Sequence, residues 1–390
     1  MAATRIPGAE IGPTEVSPQA GGRVGTSLNP DQQAAVDAVH GWLPMPHAAP
    51  VFRLFGYAGT GKTTLARTIA ADLPRVAFAA FTGKAASVLR AKGCEDAQTI
   101  HQLIYRRVTE ETTRQPRFVR KEEIELSSIA LIIIDECSMV DQRLGEDLLS
   151  YNKRILVLGD PAQLPPVQGT GYFTTAKPDV LLTQIHRQAA DNPIVELATR
   201  VRQGGQLSPG TYGDSRILTA LDIDPDAVLA ADQVLCGRNA TCRRLNTRIR
   251  ELRGQRAPWP AAGDKLVCLR NNHSRGLLNG EIWFITALLP PDAPHVVRLV
   301  LRSEDGTVSD KEVRVHEAFF TGTEGKLTEK ERLGLEEFRY GYALTVHKAQ
   351  GSEWNHVVFF DEGDTFGKDA ESFRYTGLTR AAETITVVLP

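Results

Sequence analysis

Gly56-Tyr57-Ala58-Gly59-Thr60-Gly61-Lys62-Thr63 is the stretch whose reading decides the fold, and it matches the pattern GxxxxGK[ST]. Before it, Val51, Phe52, Leu54 and Phe55 form an apolar run that reads as a buried strand; after it, Leu65, Ile69 and Leu73 recur at helical spacing. Strand, glycine loop and helix in that order have a chemical consequence. Gly56, Gly59 and Gly61 allow the backbone N–H groups to turn toward a polyphosphate at a helix N-terminus. Lys62 reaches the outer phosphates, the Thr63 hydroxyl can ligate magnesium, and Thr60 and Thr64 complete the loop and first turn. An ordinary glycine turn before a helix is the competing reading, and it does not account for the flanking pattern. The stretch therefore predicts nucleoside triphosphate binding.

Working outward, Ile129 to Ile134 is a continuous apolar run, the mark of a central parallel strand covered on both faces, and it ends in Asp135 and Glu136. One carboxylate can hold magnesium and its neighbour can polarise the attacking water, as γ-phosphate hydrolysis requires. Two solvated acids at a strand end are the alternative, disfavoured once Lys62 is in place. Ile155 to Leu158, followed by Gly159 and Asp160, repeats the theme. Strands alternating with helices imply a parallel α/β sheet with its ligands at the carboxyl ends of the strands.

A chain of 390 residues suits two or three domains, and 42% hydrophobic with 24% charged residues is the composition of a soluble globular protein. No run is long and apolar enough to span a membrane, and the start, MAATRIPGAEIGPTEV, lacks a secretory core, so a cytoplasmic protein is expected. The five cysteines are scattered without a CxxC pair and read as free thiols. Net charge is −2, so any contact with nucleic acid must come from local patches.

Residues 1–26, rich in Gly, Pro, Ala and Ser, are expected to form a flexible tail. Asn29 caps a helix with Pro30 at its first position. Val76 to Phe81 is a second strand; Thr82, Gly83 and Lys84 open a further helix. From Tyr105 to Glu125 cations alternate with Tyr105 and Phe118, as in a hairpin or small insert. A second domain starts near Gln184, with helices over Pro193 to Gln203 and from Asn239. Between about 257 and 338 short β-like runs suggest an all-β insert; the α/β pattern resumes at Tyr342, with a helix through Phe373 to Ala381 and a last strand Thr384 to Leu389.

Several strings carry a resemblance in a fixed order. LNPDQ holds Gln32; FTGKAA spans Phe81 to Ala86; TIH spans Thr99 to His101; DECSMVD begins at Asp135; GDPAQLPPV holds Gln163; QIHRQ holds His186 and Arg187; LTVHKAQGSEW holds Thr345, His347, Gln350, Gly351 and Glu353; YTGLTRAAE holds Arg380. From Leu28 to its end the chain resembles a superfamily 1B DNA helicase of the RecD-like, 5′ to 3′ group, similar in size to the compact Dda-type phage enzymes. The resemblance implies two tandem RecA-like parallel-sheet domains, 27–183 and 184–390, the first with a hairpin insert at about 104–126 and the second with a β-barrel-like insert at about 257–338. It implies ATP and Mg2+ as cofactors, with Thr63 and Asp135 on the metal and Lys62, Asp135, Glu136, Gln163, Arg187 and Arg380 as the catalytic set. Gln32 would read adenine, His186 stack on it, Glu353 hold the ribose, and Gly351 lie near the nucleotide. Phe81, Thr82, Lys84, Thr99, His101, Thr345 and His347 would contact single-stranded DNA, with Tyr105 and Phe118 on a strand-separating pin.

The partners so implied are single-stranded and forked DNA, with single-strand-binding or replication proteins beside a monomeric motor, and no membrane. The large N-terminal region of longer RecD-like proteins has no counterpart here, so assembly of the RecBCD kind is not expected. Two other readings stay open: a translocase that strips or remodels without efficient unwinding, and a non-catalytic nucleic-acid-binding relic. Six arginines between Arg243 and Arg256 read equally as a DNA surface or a solvated helix face, and Lys265, Arg270, His273 and Arg275 in the β insert are too few to establish contact. A charged hairpin without function is an alternative to the pin, and a hydrogen-bonded histidine is an alternative to adenine stacking by His186.

Overall fold

The computed structural model describes residues 28–109, 116–165, 171–184, 192–255, 258–272 and 275–390, without the side chains of 107–109 and 116–118. The tail at 1–26, Arg256 and His273 thus lie outside the described residues. Three sheets carry the structure. The first is a six-stranded parallel sheet, ordered Gln98–Thr99, Val76–Ala80, Leu131–Asp135, Arg154–Gly159, Val51–Gly56 and Val180–Leu182. Its central strands are near-continuous apolar runs, broken by Arg53 and by Arg154 and Asp135 at strand ends, because helices cover both faces. On one face Leu54, Leu131, Ile133, Leu156 and Leu158 pack under Val39 of helix Pro30–Trp42 and Leu65 and Ile69 of helix Lys62–Ala71. On the other, Phe55, Ile132, Ile134, Ile155 and Val157 meet Ile100, Leu103, Leu144 and Leu148.

The second sheet runs Ala343–Thr345, Gln233–Cys236, Trp354–Phe360, Ala381–Leu389, Ser215–Thr219 and Gly210–Tyr212, all parallel except the last pair. Helices Pro193–Arg202 and Ala370–Leu378 cover one face through Leu197, Val201, Phe373 and Leu378. On the other face lies helix Asn239–Leu252, and its core continues into a five-stranded antiparallel sheet ordered Lys311–His316, Val296–Ser303, Ile282–Leu289, Lys265–Cys268 and Phe338–Tyr340. The outer strands of that sheet approach each other where Val315 bridges Glu336, two residues before Phe338. Chain segment Tyr105–Thr109 pairs with Pro116–Arg120 as a two-stranded antiparallel hairpin.

The structure corrects some expectations locally. The last helix is Ala370–Leu378, ahead of the expected Phe373 to Ala381, because Ala381 already pairs with Trp354 in the sheet. Edge strands Gln98–Thr99, Val180–Leu182 and Gly210–Tyr212 are two or three residues long and left no periodicity to read. All five cysteines are free and buried, as expected. Among the described residues no helix is long and apolar enough to cross a membrane.

The arginine run on Asn239–Leu252 is also not one solvated face. Arg250 is buried and forks onto Asp264, Nε to Oδ1 and Nη2 to Oδ2, both at 3.0 Å. Asp264 also accepts from Tyr342 Oη at 3.0 Å and the Ala261 N–H at 2.8 Å. This pair ties the helix of the second α/β unit to the first strand of the five-stranded sheet. Asp264→Ala leaves the guanidinium buried without its carboxylate and is expected to destabilise the protein by about 3–5 kcal/mol, read as a lowered urea midpoint.

Candidate functional site

The phosphate-loop sequence leaves strand Val51–Gly56 and enters helix Lys62–Ala71 through Gly59 and Gly61, whose φ of 77° and 80° are left-handed. Gly56 has no room for a side chain: a Cβ there would lie 2.6 Å from Thr60 Oγ1. Buried Thr60 donates its hydroxyl to Tyr57 O at 2.8 Å. Lys62 Nζ turns back onto its own loop, donating to Gly56 O at 2.6 Å and Tyr57 O at 3.1 Å. Gln32 braces the loop from outside: its Nε2 donates to Thr60 O at 3.1 Å, while its Oε1 accepts from Asn29 N in a capping box. Thr64 lies in the first turn, where its carbonyl accepts from Thr68 Oγ1 at 3.2 Å.

Strand Leu131–Asp135, separated from the loop's strand by Arg154–Gly159, then sets the acids beside the loop. Thr63 Oγ1 donates to Asp135 Oδ2 at 3.1 Å, and Asp135 Oδ1 accepts from Glu136 N at 2.9 Å. Burial, helped by the Glu136 charge and opposed by Lys62, raises the Asp135 pKa. Glu136 itself is held at φ 53°, a left-handed conformation uncommon outside glycine and found at functional sites. Two hard oxygens at this spacing, on Thr63 and Asp135, suit a small octahedral cation that keeps water and phosphate oxygens for its other positions.

Helices of the second sheet close over this loop. Tyr375 Oη accepts from the Ala58 N–H at 2.8 Å and donates to Asp160 Oδ2 at 2.7 Å. Leu164 N donates to Thr376 Oγ1, and Gln350 Nε2 to Leu164 O, both at 2.8 Å. The Arg202 guanidinium sits 3.6 Å from the centre of the Tyr57 ring. Gln163 lies in the same seam, buried, with an Oε1 that has no partner among the described residues. Arg380 is only 5% exposed and donates to Ser352 O, Thr376 O and Thr379 Oγ1 at 3.0–3.1 Å; among the described residues no carboxylate pairs with it. Glu353 is exposed. His186 and Arg187 lie outside the described residues.

Gly351 lies against the helix that Thr82 opens. A side chain there would meet Ala85 Cβ at 2.8 Å and Thr82 Oγ1 at 3.3 Å, so it packs on the start of helix Gly83–Ala91. Thr82 caps that helix, Thr99 caps Ile100–Ile104 and Thr345 caps Val346–Ala349. The expected DNA threonines are therefore helix N-caps, each beside amide groups that can receive an anion. Thr99 is the exception: it is 0% exposed, with its hydroxyl bonded to Gln102, so it positions the helix and cannot touch a ligand.

Phe81, His101 and Tyr105 form a half-buried aromatic row, with centroids 6.3 and 5.6 Å apart. Tyr105 stands at the base of the hairpin and donates its hydroxyl to Asp147. Tyr151 Oη donates to Ile104 O and Lys121 O at 2.9 and 2.8 Å and so ties the two residues that flank the hairpin to the turn after helix Gln142–Leu149. Phe118 pairs with Arg107 in the backbone register; its side chain lies outside the described residues. His347 stacks on Phe366 at 5.9 Å, and burial lowers its pKa. Lys84 is bound by Glu304 of the five-stranded sheet at 3.2 Å. The cations of that sheet are likewise engaged: Lys265 with Glu304, Arg270 with Glu337, Arg275 with Glu336.

Sequence reasoning passed over Tyr375, Arg202 and Glu304, and placed Asp160 at a strand end without a partner. Tyr375 and Asp160 stood inside the quoted strings YTGLTRAAE and GDPAQLPPV, whereas nothing local marked Arg202 or Glu304. Lys348 was also passed over. Burial, with Arg339 nearby, lowers its pKa to about 8 while it donates to Asn279 Oδ1 at 2.6 Å. An unfolded lysine titrates near 10.4, about 2.4 units higher, so between those values the unfolded chain holds more protons and stability falls as pH drops from about 10.4 to about 8. Lys348→Gln should therefore gain on the parent by on the order of 2–3 kcal/mol across that window, measured by urea unfolding at several pH values.

A family model described as an AAA domain matches residues 27–219, and one described as a UvrD-like helicase C-terminal domain matches 340–388. The chain is 32% identical over 361 residues to the ATP-dependent RecD2 DNA helicase of Deinococcus radiodurans, covering 85% of this chain and 46% of that protein. It is 36% identical over 166 residues to the ATP-dependent DNA helicase dda of Enterobacteria phage T4, covering 38% of this chain and 37% of that protein. The chain thus spans less than half the length of either relative in the match. Among solved structures, a Bacteroides Pif1 bound to single-stranded DNA superposes with a TM-score of 0.56 at 17% identity over 92% of both chains. The Pif1 helicase of Candida albicans gives 0.54 at 18% identity, covering 93% of this chain and 94% of that one, which places the two α/β units in the same fold. With a phosphate loop, an acidic pair at the end of another strand of the same sheet and the two matched models in one chain, the protein is similar to RecD-like DNA helicases along 85% of its length and shares its fold with the Pif1 structures.

Proposed function

We propose that the chain is an ATP-dependent DNA helicase that moves 5′ to 3′ on single-stranded DNA and unwinds duplex. The observation that carries this reading is the two-sided loop: Lys62, Thr63 and Asp135 converge on one wall, and the Ala58 N–H is held by Tyr375 from the other. A site shared between two α/β units changes their separation when its ligand changes. Relatives named as DNA helicases, and Pif1 structures titled for single-stranded and forked DNA, support the substrate.

In this reading Lys62 leaves Gly56 O and Tyr57 O for the outer phosphates, and Gln163 aligns the γ-phosphate. Thr63 and Asp135 would hold Mg2+, which would supply charge neutralisation to the phosphates. Glu136 accepts the proton of the attacking water. Arg187 and Arg380 meet the developing charge; the absence of a carboxylate beside buried Arg380 among the described residues supports an anionic partner, since burying an unpaired guanidinium is unfavourable. Gln32 and His186 take the adenine and Glu353 the ribose. The single strand follows Phe81, Thr82, Lys84, His101, Tyr105, Thr345 and His347, with the hairpin, including Phe118, as the separating pin. Lys84 exchanges Glu304 for a phosphate on that path. The motor divides into units 27–183 and 184–390, with the β insert beside the strand.

Glu136→Gln is expected to keep ATP and single-stranded DNA binding while lowering turnover about 10²–10⁴-fold, measured as phosphate release; parent-like turnover would remove Glu136 as the base. Duplexes with single 5′ or 3′ tails test the polarity directly: unwinding should require the 5′ tail, and a preference for the 3′ tail reverses the assignment.

A further inference from the structure

Three side chains on the seam have no part in the catalytic set above, yet they touch the phosphate loop or the group that holds it. Tyr375 is buried on helix Ala370–Leu378, and its hydroxyl bonds the Ala58 N–H and Asp160. Asp160, 2% exposed at the end of strand Arg154–Gly159, is fixed on its other oxygen by the Ala162 N–H at 3.0 Å. Arg202, the last residue of helix Pro193–Arg202, covers the Tyr57 ring, and its buried Nε has no partner among the described residues. Tyr57 and Ala58 are consecutive, and the carbonyl of Tyr57 is one that Lys62 and Thr60 bind from inside the loop. Two helices of the second unit therefore grip the same dipeptide of the first. Backbone N–H groups of such loops are the donors a polyphosphate uses, so what fixes the Ala58 N–H shapes the site.

We propose that Tyr375 is a positioning residue: held by Asp160, its hydroxyl fixes the Ala58 N–H, and with Arg202 on Tyr57 it makes the geometry of the phosphate loop depend on the closure of the two α/β units. When the units close on DNA, the hydroxyl and the guanidinium set the loop for the triphosphate; when product release lets the second unit move away, the grip on Tyr57 and Ala58 loosens. Burial and the Asp160 charge raise the Tyr375 pKa, so the hydroxyl keeps the proton it donates at any working pH. The inference rests on the motor reading given above and concerns how its halves are coupled.

The test uses the full chain, ATP, and a single-stranded oligonucleotide. Tyr375→Phe keeps the ring and deletes the hydroxyl. It is expected to lower the DNA-saturated kcat about tenfold while the KM for ATP moves less than about threefold, because the lost contact acts on the closed, DNA-bound state. Arg202→Gln, at a half-buried position, should lower the ratio of DNA-stimulated to DNA-free turnover. A ratio unchanged in both variants overturns the inference, as does a fall that is equal with and without DNA and follows a lowered melting temperature. If the parent protein shows no stimulation by DNA, the motor reading fails and takes this inference with it; stimulation in the parent that survives in both variants sinks the inference alone.

Discussion

A loop that must offer its backbone amides to a ligand cannot also bury them in a sheet or helix, and this constraint governs the seam of the molecule. Gly59 and Gly61 accept left-handed φ, and Gly56 leaves space for Thr60, so the chain can make the turn. A turn so exposed needs bracing from elsewhere. Gln32 supplies it from the first helix, Lys62 from the loop's own helix, and Tyr375 and Arg202 from the second α/β unit.

The electrostatics of the seam follow from the same crowding. Asp135 and Asp160 both have raised pKa values through burial, and each is stabilised by donors aimed at it: Thr63 and Glu136 N for the first, Tyr375 and Ala162 N for the second. Against them stand cations that lack a carboxylate of their own, Arg380 most clearly. Elsewhere the cations are paired: Arg250 with Asp264, Lys84 with Glu304, Arg374 with Asp361.

Much of this was legible in the residue order. The phosphate loop, the apolar run ending in Asp135 and Glu136, and the α/β alternation are local patterns whose meaning comes from backbone geometry and burial, which neighbouring residues dictate. The β texture between 257 and 338 announced the five-stranded antiparallel sheet for the same reason, and the alternating cations and aromatics after Tyr105 announced a hairpin. Short edge strands escaped because two or three residues carry no period. That Thr99 is covered by its own helix escaped because a motif names a residue without saying which of its neighbours will cover it.

What the sequence determined by itself was the kind of site: a glycine loop, a lysine, a threonine and two consecutive acids at the end of an apolar strand can do little besides hold a polyphosphate and its metal. What only the tertiary structure decided was how that site is closed. Tyr375 lies 317 positions from Ala58 and Arg202 is remote from Tyr57, so no periodicity or spacing could pair them. Their meeting depends on the packing of helices Pro193–Arg202 and Ala370–Leu378 against the loop of the other unit, a property of two folded surfaces and of no single segment of chain.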